Sequence, residues 1–137
     1  MLNEEQLRDL LVSISNRIGS NPIYLPIVSS INGREMTYIK VTESGYSFCS
    51  EEKGHIDLEE HNLNLEDLIY KVFLLVSYDM FSERYRRVDG SDTHDESVNM
   101  QRERRFQYQI EFLGRIDQSY AKRRTEEIEK IKEKYPL

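Results

Sequence analysis

Apolar residues recur every three or four positions over the first eighteen residues, then alternate, then return to the longer period. Leu7, Leu10, Leu11, Ile14 and Ile18 form the first stripe, which predicts an amphipathic helix at about 4–18. Asn3 stands at its N-cap, Gln6 completes a capping-box pattern, and Gly19 supplies the stop. Pro22 and Pro26 then forbid a continuing helix. Across about 35–60 the period falls to two. EMTYIKV (35–41), GYSFCS (45–50) and HIDLEE (55–60) read as strands of an antiparallel meander. Asn32-Gly33 is the strongest hairpin signal, because both positions tolerate the positive φ that a tight turn needs. Further turns are expected at Glu43-Ser44-Gly45 and across EEKG (51–54), and a fourth strand fits residues 24–28. In HIDLEE, Ile56 and Leu58 take one face while Asp57 and Glu59 take the other.

The second half of the chain is helical in pattern. Asn64, with Asp67 three residues on, caps a helix at about 65–87. Its stripe runs Leu65, Leu68, Ile69, Val72, Phe73, Val76, Met80 and Phe81, and Leu74 and Leu75 widen it, so this helix is expected to be buried on more than one side. DGSDTHDE (89–96) is a loop by composition. A third helix follows at about 96–116, with Val98, Phe106, Ile110 and Leu113 inward. Asp117 caps a fourth at about 118–135, with Tyr120, Ala121, Ile128, Ile131 and Tyr135 on its apolar face and Pro136 at its end. The class is α+β: one helix, a three- to four-stranded meander, then three helices on one sheet face, in a single domain spanning 1–137.

Composition narrows the functional classes. A third of the residues are charged (32%), and the net charge is −6. The charge is uneven: residues 1–70 carry 12 acids against 5 bases, whereas residues 71–137 carry 13 against 14. An acidic half attracts basic partners and repels phosphate. RERR (102–105) and KRR (122–124) are interleaved with glutamates, the pattern of a solvated helix face, so nucleic-acid binding is not expected. The one cysteine, Cys49, has no internal disulfide partner, and the N-terminus is acidic where a signal peptide would be basic. The longest apolar run, Val72 to Val76, is far too short to span a bilayer. A cytoplasmic protein without membrane association is expected.

Candidate chemistry is sparse. Asp92, His94 and Asp95 share one loop, but those residue types also serve as turn and cap residues. Cys49, His55 and His61 match no zinc-ligand spacing. Asp79 and Glu83 are an i,i+4 carboxylate pair near Arg86 and Arg87, which an exposed ion-pair cluster explains equally well. No nucleophile elbow, phosphate-binding glycine loop or metalloprotease motif occurs. No enzyme, cofactor or metal is expected. The nine tyrosines point elsewhere: Tyr78, Tyr85 and Tyr108 lie at the margins of their helical stripes, where amphipathic rings serve protein contacts.

From Gly45 onward the sequence resembles a family of bacterial immunity proteins, immunity protein 63, from polymorphic toxin systems. The residues that carry the likeness are Gly45-Tyr46, SEEKG (50–54), LEDLIYKVF (65–73), Arg105-Phe106, Gln109, Leu113 and Ile116. Tyr120, Arg123, Glu127-Ile128, Ile131 and Pro136-Leu137 extend it. It departs from the family pattern at Tyr70-Lys71 and Tyr120, where tryptophan is expected, and the first 44 residues show no match. The resemblance implies an inhibitor that neutralises a cognate toxin by stoichiometric binding. Basic nucleases are common among such toxins, so the acidic turn and strand become the expected contact surface: Glu51, Glu52, Asp57, Glu59 and Glu60, with Tyr78 and Tyr85 in second place. The inhibitor is expected as a monomer or weak homodimer. The competing reading is an interaction module outside immunity, or a homo-oligomeric regulator using Leu74 and Tyr78.

Overall fold

The computed structural model describes residues 1–29, 37–52, 55–88 and 98–136, with the side chains of 52, 55–58, 85–88 and 98–99 left aside. The chain divides into two compact units, Met1–Val72 and Phe73–Leu137. The class is α+β, as the pattern predicts. An N-terminal helix leads into a four-stranded, mostly antiparallel sheet, and three helices follow.

In the first unit, α1 spans Glu4–Arg17. Its capping box is complete: Asn3 Oδ1 accepts from the Gln6 amide at 2.8 Å, and Gln6 Oε1 accepts from the Asn3 amide at 3.0 Å. Gly19 ends the helix at φ +77°, a conformation that carries no penalty for glycine. Leu7, Leu11, Ile14 and Ile18 are buried, as the stripe requires, and Leu10 is half-buried. Pro22 opens a single 3-10 turn (Pro22–Tyr24), where its missing N–H costs nothing.

The sheet order is β1 (Ile27–Val28), β2 (Thr37–Thr42), β3 (Gly45–Glu52), β4 (His55–Leu63). β1 lies within the region expected for a fourth strand, but it pairs parallel to β2 rather than joining the meander. The Asn32-Gly33 hairpin lies outside the described residues. Thr42 and Gly45 close the β2–β3 hairpin, leaving Glu43 and Ser44 at its tip. β3 continues through Glu51 and Glu52, residues expected in a turn. Two register shifts interrupt the β3–β4 ladder, between Tyr46 and Phe48 and between Ser50 and Glu51. Across the second shift Leu58 pairs with Ser50 and Ile56 with the next residue, Glu51.

α2 (Leu65–Val88) begins with Asn64 Oδ1 accepting from the Asp67 amide at 2.8 Å. Leu68, Ile69, Tyr70, Val72, Phe73, Val76 and Ser77 are all buried, so the helix is enclosed on more than one side. In the second unit, α3 (Val98–Gly114) and α4 (Gln118–Lys134) form a hairpin, with Asp117 capping α4 through the Ser119 amide. Phe106, Phe112, Leu113, Tyr120 and Ile128 are buried there. Ile110, Ala121 and Ile131 are only half-buried, and Tyr135 is exposed, its carbonyl accepting from Arg102. Buried Gln109 escapes the stripe logic because Arg124 Nε donates to its carbonyl oxygen at 3.0 Å. The two tyrosines at departure positions, Tyr70 and Tyr120, are both buried, so each fills a core site.

Candidate interaction surface

β3 places the acidic residues. Tyr46, Ser47, Phe48, Cys49 and Glu51 are all buried, so this strand is covered on both faces. Glu51 is 9% exposed, and its carboxylate accepts from the Tyr38 hydroxyl at 2.8 Å. Burial, reinforced by that carboxylate, pushes the Tyr38 phenol well above its ordinary range, so Tyr38 stays a donor. Glu51 thus faces inward. Burial likewise pushes the Cys49 thiol up, which makes it a packing residue rather than a nucleophile.

β4 is different because it ends the sheet order. Glu59 pairs with Cys49 and Glu60 with Phe48, so the two neighbouring carboxylates leave opposite faces of the strand. Glu60 Oε2 lies 2.7 Å from Lys71 Nζ, a pair with both side chains about a third exposed. Glu59 Oε1 lies 2.8 Å from His61 Nε2, with side-chain exposures of 44% and 51%. The other imidazole nitrogen, Nδ1, lies 2.8 Å from the Ser47 hydroxyl. Ser47, His61 and Glu59 have the connectivity of an activated nucleophile, but Ser47 is 2% exposed and no substrate carbonyl can reach it. Sequence reading missed this chain because Ser47 and His61 are fourteen residues apart and meet only through the register.

The remaining candidates scatter. The side chains of Glu52, Asp57, Tyr85 and His55, and the whole loop with Asp92, His94 and Asp95, lie outside the described residues. Among the described residues no group of three or more His, Cys, Asp or Glu is placed to hold a metal ion. Tyr78 is 46% exposed in the second unit, with the Arg105 guanidinium 5.3 Å from its ring centre. Tyr108 packs between Phe81 and Phe112, at 5.5 and 6.0 Å between ring centres. Asp79 is half-buried, and that burial pushes its carboxyl up. A shallow apolar groove of about 270 Å³ lies in the first unit, lined by Leu11, Val12, Pro22, Leu25, Pro26 and Ile27 among others. Arg8, its charged member, is bonded to Glu4 and the Val28 carbonyl. No helix among the described residues is long and apolar enough to cross a membrane.

The partly exposed carboxylates described here are therefore those of Glu59 and Glu60 on β4, while Glu51, Cys49 and Ser47 are buried. A family model for immunity protein 63 matches residues 43–130, well over half of the chain. The chain belongs to the immunity protein 63 family. Membership carries the function of its class, neutralisation of a cognate toxin in a polymorphic toxin system by a non-enzymatic inhibitor. The match begins at the tip of the β2–β3 hairpin and stops within α4, so α1, the 3-10 turn, β1 and β2 fall outside it. No curated protein and no solved structure matches the chain.

Proposed function

We propose that this immunity protein binds its toxin through the acidic β4 strand, and that the toxin is a basic protein of nuclease type. The observation that carries the proposal is the Glu59–Glu60 pair on a strand at the end of the sheet order, with both carboxylates partly exposed. The first unit holds 12 acids against 6 bases, and the second holds 13 against 13, so the negative field belongs to the unit that carries β4. Such a field accelerates encounter with a basic partner and imitates the charge of a nucleic-acid substrate. Glu51, buried against Tyr38, contributes to the fold of this strand pair instead of the contact. Tyr78 in the second unit offers a further anchor, its exposed ring suited to a desolvated contact.

The test is charge reversal. Glu59→Lys with Glu60→Lys should slow association with the toxin encoded beside the gene about tenfold at low ionic strength and flatten its salt dependence. Circular dichroism establishes that the variant keeps its fold. Unchanged association kinetics would remove the acidic strand as the contact.

A further inference from the structure

The Ser47–His61–Glu59 chain links a buried group to an exposed one. Ser47 is buried on β3, while the imidazole and the Glu59 carboxylate on β4 are each about half exposed. A neutral imidazole donates from one nitrogen and accepts at the other. Glu59, as a carboxylate, only accepts, so the proton belongs on Nε2, and Nδ1 accepts from the Ser47 hydroxyl. With those assignments every partner in the chain is satisfied. The buried end fixes the ring, and the ring fixes the carboxylate.

We propose that His61 is a positioning residue for toxin binding, holding the Glu59 carboxylate for contact. The proposal rests on the reading of β4 as the contact strand. The groups that share this face with the ring are Glu59 on its own strand, Ser47, Cys49 and Glu51 on β3, and Lys40 and Tyr38 on β2, opposite Ser47 and Cys49.

Association with the toxin domain encoded beside the gene tests this for the wild type, His61→Gln, His61→Ala and Glu59→Gln. Glutamine keeps an N–H donor for Glu59, so His61→Gln should bind within about twofold of the wild type, whereas His61→Ala and Glu59→Gln should each bind about two- to fivefold more weakly. Rescue by glutamine separates positioning of Glu59 from a merely structural role of the ring. If Glu59→Gln weakens binding while His61→Ala keeps the wild-type affinity, the positioning role is wrong and the acidic-strand reading stands. If Glu59→Gln has no effect, both fall.

Discussion

Tyr38 and Glu51 show how a surface residue type becomes a core one. Carboxylates are seldom buried without a partner, so an acid near a strand end reads as solvated. Its partner here is thirteen residues away on β2 and becomes visible only through the pairing of the two strands. Tyr38→Phe removes the donor and leaves the Glu51 carboxylate buried without it. The expected cost is about 2 kcal/mol, seen as a lower urea midpoint with an unchanged slope. An unchanged midpoint would mean that Glu51 is solvated. Gly45, by contrast, was legible as a turn residue, and the structure supplies the reason. Its φ is +149°, and a Cβ there would meet the Leu63 carbonyl oxygen at 3.0 Å. Asn62 opposite sits at φ +57° in the interval where the β3–β4 register slips, a place where asparagine is tolerated and β-branched residues are not.

At the scale of elements, helices were more legible than strands. The capping residues Asn3, Asn64 and Asp117 were each legible in the pattern, and each side chain accepts from a backbone amide of its helix's first turn. β3 defeated parity because it is buried on both faces, and β1 joined the sheet in parallel, a pairing that periodicity does not encode. α2 carries a consequence for stability. Asp79 sits half-buried on a largely apolar helix, and burial raises its carboxyl pKa above the ordinary value. The folded state then holds that proton at pH values where the unfolded chain has released it, so Asp79 opposes folding at neutral pH, and the penalty fades as the pH falls through the carboxylate range. Asp79→Asn should therefore stabilise the protein at pH 7 by less than about 1 kcal/mol, because the group remains partly solvated. Thermal melts of both forms should converge in acid. A variant less stable than the wild type at pH 7 would reverse the account of this residue.

For the whole molecule, the family likeness and the physical reading meet in the same segment. The match over residues 43–130 covers β3, β4, α2 and α3 entirely and reaches into α4. The residues on which the resemblance was read, such as Gly45, Leu68, Val72, Phe106 and Leu113, are turn and core residues, which is why they speak for a fold and not for a contact surface. The contact had to be sought in charge and exposure. There the sequence named a group of carboxylates without separating them: Glu51 turns inward on β3, while on β4 Glu60 is tied to Lys71 and Glu59 is held by His61. That distinction depends on strand pairing and on two register shifts, which linear spacing does not carry. The central claim is neutralisation by stoichiometric binding. Co-expression with the toxin encoded beside the gene tests it most directly, with the mass of the purified assembly as the readout alongside growth. Restored growth and a one-to-one complex are the predicted result. A culture that the toxin still kills, yielding no complex, would contradict it.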